Sequence, residues 1–296
     1  MHRKKTMIWG VAILASVSAA VATAQHRFRY HDETETRPIN LVPATVDPGT
    51  NQSEIKETAS KLRLTGNGIP DHLVGQFPNR GNPHSISTQN VKLNIPANPK
   101  STGSRTPLQM GWNFGVSLTG VTFDPLAAEF WHGDQRSGWS YNALGGAIAL
   151  GLDANYAHVQ PNGKYHYHGV PTGLIELHDW SPVKHSPLIG YAADGYPIYA
   201  MTGVIDGQVI QMTSSYRLKS GNRPGGNQPD GRYDGTFNED YAYVQGSGTL
   251  DQCNGAFTVS AEYPSGTYAY FLTENYPVIP RCFAGTPDKS FRFGRQ

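Results

Sequence analysis

The apolar positions of this chain fall mostly in short alternating runs, the pattern of half-buried β-strands. Such runs, bounded by turn residues, predict strands at 91–95, 115–123, 165–169, 197–202, 204–212 and 267–272, with a hairpin turn at Asp206 and Gly207 inside the fifth segment. The 33 glycines and 21 prolines interrupt the chain too often for long helices. We therefore expect a mainly β, sandwich-like fold of short strands and hairpins with few short helices.

Two segments nevertheless carry helical signals. Ile55, Ala59 and Leu62 have the spacing of one helix face, which predicts a short helix over residues 53–64. Asp124 followed by Pro125 is typical of a helix N-cap and first helical position, which predicts a helical turn over residues 126–131.

The chain divides into three parts by composition. Residues 25–81 are polar and proline-bearing and predict a largely irregular linker. Residues 82–296 are long enough for one sizeable core and predict a single globular domain.

The first 24 residues have the pattern of an export signal. Basic residues from Arg3 to Lys5 precede an uncharged run that ends in small residues, which predicts a signal peptide cleaved before Gln25 and a secreted or periplasmic protein. The alternative is an uncleaved membrane anchor, because the run approaches the roughly 20 residues that span a bilayer. No other run is long enough, so we expect no membrane span after cleavage.

Charge and cysteine content narrow the partners. Loss of the leader leaves 21 basic against 23 acidic residues, and the chain lacks a recognised nucleic-acid motif, so nucleic acid is not an expected partner. A small molecule or a glycan remains a candidate. Cys253 and Cys282, in an exported chain, predict a disulfide, with two thiolate metal ligands as the alternative.

The segment Tyr165, His166, Tyr167, His168 carries the strongest chemical signal. In a strand, alternate side chains share a face, so His166 and His168 would point to one side. A three-residue loop over 161–163, which we expect, would place His158 opposite His166 on that face, whereas a two-residue loop at Asn162 and Gly163 would turn it away. Three imidazoles with one open position suit zinc or copper, although a tyrosine and histidine ladder can also pack with no ion.

Other polar residues are weaker candidates. Asp194, before Gly195, is a turn former, a fourth metal ligand or a group that orients an imidazole. Asp124 and Asp153 are further candidates for a carboxylate ligand or a group that orients an imidazole. His132, His178 and His185 do not have a spacing that is typical of a metal or catalytic motif. A serine nucleophile elbow and a phosphate-binding glycine loop are both absent from the sequence.

Several blocks resemble one family. Residues 162–169 are similar to the signature that names the YHYH domain family of exported proteins, and the blocks 120–125, 193–199, 253–255 and 280–282 resemble it too. The resemblance covers roughly residues 91–285 and identifies His166 and His168 as the family's motif residues. It implies an exported protein and assigns no substrate or cofactor.

These observations predict an exported metal-binding protein. Its expected ligands are His166, His168, His158 and Asp194, its expected ion is zinc or copper, and any activity would be metal-dependent hydrolysis or redox chemistry. The alternative is a non-catalytic exported module that binds a glycan, a peptide or an envelope partner through exposed aromatic side chains.

Overall fold

The computed structural model of the protein describes residues 38–293. The predicted signal peptide and cleavage site therefore lie outside the described residues. Within the described part, no helix has the length and apolar character needed to cross a bilayer.

Short strands dominate this part of the chain, and they are numbered here in chain order. The first nine are β1 Ser53–Glu57, β2 Lys61–Gly66, β3 Val91–Pro96, β4 Thr106–Pro107, β5 Gly115–Ser117, β6 Thr122–Phe123, β7 Ala157–Val159, β8 Tyr165–Tyr167 and β9 Leu188–Ala192. The others are β10 Pro197–Tyr199, β11 Thr202–Ile205, β12 Gln208–Gln211, β13 Tyr216–Leu218, β14 Tyr241–Tyr243, β15 Gly255–Thr258, β16 Thr267–Phe271 and β17 Cys282–Phe283.

Helices are few and short. One α-helix, α1, covers Thr172–Leu177, and 3-10 turns cover Trp131–Gly133, Gln135–Ser137, Asn238–Asp240 and Lys289–Phe291. The mainly β class with few short helices is confirmed.

The largest sheet has eight strands in the order β15-β16-β10-β9-β5-β6-β8-β7. Its pairs are antiparallel except β6 with β8 and β10 with β16. Smaller sheets are formed by β1-β2-β3, β11-β12, β13-β14 and β17-β4. The large sheet thus places β8 between β6 and β7, near one edge.

The core is largely aromatic. Tyr165, Tyr167 and Phe123 are buried beside each other on β8 and β6, with the rings of Phe123 and Tyr167 5.4 Å apart. Phe114 stacks on Phe283 at 5.4 Å. Among the described aromatic side chains, Phe257 alone is exposed, so the aromatic content of this sequence mostly fills the interior.

The helix predicted over residues 53–64 is wrong. Strands β1 and β2 occupy this segment, and a turn at Ala59 separates them. Ile55 pairs with Leu64, and Leu62 pairs with Ile95 of β3, so the apolar residues are matched across strands. Leu64 and Ile95 are both buried. Cross-strand packing therefore outweighs a helical spacing that rested on three residues.

The segment predicted as a linker contributes to the core over its described part. Leu64, Ile69 and Val74 are buried, and the amide and carbonyl of Val46 pair with those of Val74 at 2.9 Å. The position of the domain boundary stays a prediction.

The helical turn predicted after Asp124 is also wrong, since no helix begins at Pro125 and the first 3-10 turn starts at Trp131. Instead of capping a helix, the Asp124 amide donates to the Tyr167 carbonyl at 2.9 Å and extends the β6-β8 pairing by one residue. Asp124 thereby stays beside the histidine segment.

The predicted disulfide is confirmed. Cys253 and Cys282 are bonded, with their Cα atoms 5.1 Å apart. Since the sequence contains only these two cysteines, the alternative of thiolate metal ligands is excluded in the oxidised protein.

Candidate metal centre

The β7-β8 hairpin sets the positions of His158 and His166. The Gln160 amide donates to the Lys164 carbonyl at 2.9 Å, so the loop between the paired residues has three residues, 161–163. Gly163 ends the loop with a φ of 83°, a conformation that favours glycine. His158 and His166 are direct Cα partners across the hairpin. The predicted three-residue loop is confirmed.

His168 lies just beyond the end of β8. Its amide donates to the Tyr156 carbonyl at 2.8 Å, which keeps the backbone extended. As His168 is two residues after His166, both rings lie on the same face. The side chains of His166 and His168 are buried, and His158 is partly buried.

The three rings converge through one type of nitrogen. His166 Nε2 is 3.0 Å from His168 Nε2, and His168 Nε2 is 3.1 Å from His158 Nε2. Of the acidic, cysteine and histidine side chains in residues 38–293, these three form the group whose ligand atoms all lie within 4.8 Å of one another. We call this group the histidine cluster.

Backbone carbonyls orient two of the rings. His158 Nδ1 is 2.9 Å from the Leu150 carbonyl oxygen, and His166 Nδ1 is 3.3 Å from the Lys164 carbonyl oxygen. A carbonyl can only accept, so in both neutral rings Nδ1 carries the proton and Nε2 presents a lone pair. Metal-binding histidines commonly have this second contact, because it fixes the tautomer and the ring orientation.

Burial keeps the cluster neutral. It is the main cause that lowers the pKa of His158, and it lowers the pKa of His166 and of His168 well below the usual range. His84 lowers the pKa of His158 further, the other two rings of the cluster lower the pKa of His166, and the His158 ring lowers the pKa of His168. Neutral imidazole is the form that binds metal ions.

Two cationic side chains act on the cluster, Lys164 on His166 and Arg281 on His168, and both also act on Asp124. Burial raises the pKa of Asp124 to about 6, although Lys164 and Arg281 both act to lower it. Burial also lowers the pKa of Lys164 to about 8, while Asp124 acts to raise it. The Lys164 ammonium donates to Asn113 Oδ1 at 2.9 Å and lies 5.0 Å from the Phe293 ring centroid.

A family model for YHYH protein matches residues 92–285, about two thirds of the chain. The chain belongs to the YHYH family. No curated protein and no solved structure matches it. The matched region begins at the second residue of β3, ends just after β17 and contains the whole histidine cluster. The YHYH motif supplies two of the three imidazoles, and His158, eight residues before the motif's first histidine, supplies the third.

The structure does not bring Asp194 to the YHYH histidines. Asp194 is buried at the β9-β10 turn, where its Oδ2 accepts from Tyr270 Oη at 2.6 Å and from the Gly285 amide at 2.9 Å. Its carboxylate therefore holds the β9-β10 turn against Tyr270 of β16 and against the Gly285 backbone.

The remaining sequence candidates are also elsewhere. Asp153 lies on the opposite side of β8, where it accepts from Tyr165 Oη at 2.7 Å and from the Gly75 amide at 2.9 Å. His185 packs on Tyr199, with ring centroids 4.6 Å apart. His132 is exposed and His178 ends α1.

Sequence reasoning missed several neighbours of the YHYH histidines. Asn82 Nδ2 donates to the Val159 carbonyl at 2.8 Å and supports β7. Lys164 alternates with His166 and His168, so its position on their face was predictable from the same period of two. Arg281 directly precedes β17 and acts electrostatically on His168, and no local pattern in the sequence indicates this relationship.

Proposed function

We propose that this YHYH-family protein is an exported metalloprotein in which His158, His166 and His168 bind one zinc or copper ion through Nε2. The fourth coordination position is available for water or substrate, and the ion serves hydrolytic or redox chemistry. The convergence of three Nε2 atoms carries the proposal.

The spacing of these atoms supports a shared ion. Two imidazole nitrogens bound to one zinc ion at tetrahedral angles lie roughly 3.3–3.4 Å apart, given Zn–N bonds of about 2.0–2.1 Å. The two Nε2–Nε2 distances of 3.0 and 3.1 Å are close to this value. The ligand atoms of all three rings lie within 4.8 Å of one another, so a shift of the rings would bring them to one ion.

The tautomers support a cation for a second reason. The carbonyl contacts leave lone pairs on Nε2 of His158 and His166, so His168 Nε2 alone has a proton to share between them. A metal ion instead satisfies all three lone pairs at once. The competing arrangement, three rings that hydrogen-bond with no ion, must leave one buried acceptor poorly paired.

The ligand types limit the chemistry. Three neutral imidazoles and an exchangeable position form a catalytic type of zinc site, in which the ion lowers the pKa of bound water to about 7. Copper in the same ligands would support redox chemistry, but a blue-copper site needs a thiolate, and both cysteines are in the disulfide. We favour zinc-dependent hydrolysis.

Export is the second part of the proposal. The basic, apolar and small-residue pattern of residues 1–24 motivates it, and a disulfide fits an oxidising compartment. N-terminal sequencing of the protein recovered from its native host would support export if the mature chain began at Gln25.

Metal stoichiometry tests the first part. The full chain is produced without an affinity tag, treated with a chelator and titrated with Zn²⁺ and with Cu²⁺, and bound metal is measured by mass spectrometry. We expect one ion per chain in the wild type and background levels in the double variant His166→Ala, His168→Ala.

The control is His132→Asn, which removes an exposed histidine and introduces a residue that tolerates the positive φ of 53° at this position. It should bind one ion like the wild type. Failure of the wild type to bind either metal, or equal binding by the double variant with its fold intact, would overturn the metal centre.

A further inference from the structure

The two faces of strand β8 have opposite electrostatic surroundings. On the tyrosine side, the carboxylates of Asp153, Asp71 and Glu176 all act on His72, which is hydrogen-bonded to Tyr167 Oη at 2.7 Å. On the histidine side, the charged side chains that act on the imidazoles are cationic: Lys164 on His166 and Arg281 on His168. The cluster therefore lies in a positive field.

Strand β6 adds a hydroxyl to the histidine face. Thr122 is the Cα partner of His166 in the parallel β6-β8 pair, and paired residues project to the same face. Thr122 is 3% exposed, and its Oγ1 has no hydrogen-bond partner within the described residues. A buried hydroxyl without a partner costs stability, so a bound ligand that accepts from it would recover that cost.

Arg281 presents a second unpartnered donor. Its Nε is buried with no hydrogen-bond partner in the part of the chain that the structure describes, and its guanidinium packs 5.4 Å from the Tyr276 ring centroid. Its charge acts on both His168 and Asp124, and it also acts on Glu239. The Lys164 ammonium already donates to Asn113, so we expect it to attract an anion by its charge and not by a direct hydrogen bond.

We infer that the metal centre takes a substrate carrying a small oxyanion, a carboxylate or phosphate group, with Arg281 and the Thr122 hydroxyl as its binding donors. This inference rests on the proposed metal centre, which it deepens by naming the substrate class. The two cations Lys164 and Arg281 are balanced by the two carboxylates on which they act, Asp124 and Glu239, so a divalent ion brings the net charge of the site to +2. An anion is therefore favoured, and a cationic ligand is repelled.

Anion binding can be measured with and without the metal. Acetate and inorganic phosphate are titrated against the full chain, as metal-free protein and as protein loaded with Co²⁺, with chloride at matched ionic strength as the reference. Thermal unfolding reports binding in both forms, and the visible spectrum of Co²⁺ reports entry into the open coordination position. Acetate and phosphate distinguish a planar from a tetrahedral oxyanion.

Three variants assign the donors. Arg281→Gln should weaken anion binding at least tenfold in both forms while Co²⁺ stoichiometry stays at one per chain. Thr122→Val, which keeps the side-chain shape, should weaken it about three- to tenfold. Arg63→Gln, on an exposed position of β2, should leave it unchanged. Partial recovery in Arg281→Lys would show that position 281 needs a cation.

The outcomes separate the two proposals. Absence of Co²⁺ binding rejects the metal centre, while the Tm shifts of metal-free protein still report on the anion site. Equal anion binding by Arg281→Gln and Arg63→Gln, or no anion-specific effect beyond chloride in either form, overturns the oxyanion site.

Discussion

His158 and His166 face each other across the β7-β8 hairpin because three residues, Pro161 to Gly163, form the loop between their strands. The pair that closes the loop, Gln160 with Lys164, sets this register. A two-residue turn at Asn162 and Gly163 would instead pair Pro161 with Lys164 and His158 with Tyr167, and such a shift of one residue moves a side chain to the opposite face.

Deletion of Pro161 should preserve metal binding, because Asn162 and Gly163 then form a two-residue loop between the same closing residues, Gln160 and Lys164, and His158 still faces His166. We expect affinity for Zn²⁺ to stay close to that of the wild type, whereas His158→Ala, which removes one of the three imidazoles, should weaken it clearly. Isothermal titration calorimetry measures the affinity, and far-ultraviolet circular dichroism checks the β content. Pro161→Ala, which preserves loop length, is the matched control and should bind like the wild type.

Asp124 should make stability depend on pH in a definite direction. Its pKa is about 6 in the folded protein against 3.8 for the free side chain, so between these values the folded state binds more protons than the unfolded state. The contribution of Asp124 to stability thus falls as pH rises from about 4 to about 6, and the loss is complete above that range.

Replacement of Asp124 by Asn removes this titration. In chelator-treated protein, the free energy of unfolding of Asp124→Asn relative to wild type should rise between pH 4 and pH 7 by up to about 3 kcal/mol. Urea denaturation at several pH values measures it. Asp134→Asn is the control, because Asp134 is solvent-exposed and Arg136 lowers its pKa, so no such rise is expected. A flat difference for Asp124→Asn would contradict the burial argument.

The tyrosine face of β8 should affect stability and leave metal binding unchanged. Tyr165→Phe removes the donor to Asp153 Oδ2 at 2.7 Å and leaves a buried carboxylate with one contact fewer, which should cost about 1–3 kcal/mol. Zn²⁺ affinity should stay within about twofold of the wild type. Tyr243→Phe, at a half-buried position of β14, should cost less. A large loss of metal affinity in Tyr165→Phe at intact fold would show that the two faces are not independent.

Loss of the disulfide should destabilise the fold strongly. The bond joins residues 29 positions apart, and closing such a loop stabilises a protein by roughly 3–4 kcal/mol on the chain-entropy model. The free energy of unfolding of the double variant Cys253→Ser, Cys282→Ser, measured by denaturant titration, should be lower than that of the wild type by about that amount. Reduction of the wild type in the same assay should give a matching shift, and agreement between the two excludes an effect of the serines themselves.

Local pattern predicted much of this structure, and it failed where distant contacts decide. The period of two in Tyr165 to His168 placed both imidazoles on one face, and the turn residues at 161–163 predicted the partner of His166. These features depend on neighbours in sequence. The helix predicted over 53–64 was wrong because the match of Leu62 with Ile95, more than 30 residues away, is invisible to a local window.

The same limit applies to the site. Asp194 was a reasonable candidate by chemistry, but its carboxylate is taken up by Tyr270 and Gly285, about 75 and 90 residues later. Arg281 gave no sequence signal at all. A charged residue that is distant in sequence from a site cannot be assigned to it until the strand topology is known.

Arg281 directly precedes Cys282, so the disulfide anchors the segment that carries the guanidinium, whereas the histidines are held by a hairpin that contains no cysteine. On the proposals made above, the centre would mature in two stages. A newly made, still reduced chain would already gather its imidazoles and take up an ion, but it would acquire a fixed anion donor only when its thiols are oxidised. Selectivity for substrate would then appear only after the protein has reached an oxidising compartment, and reductant in the assay buffer would erase it.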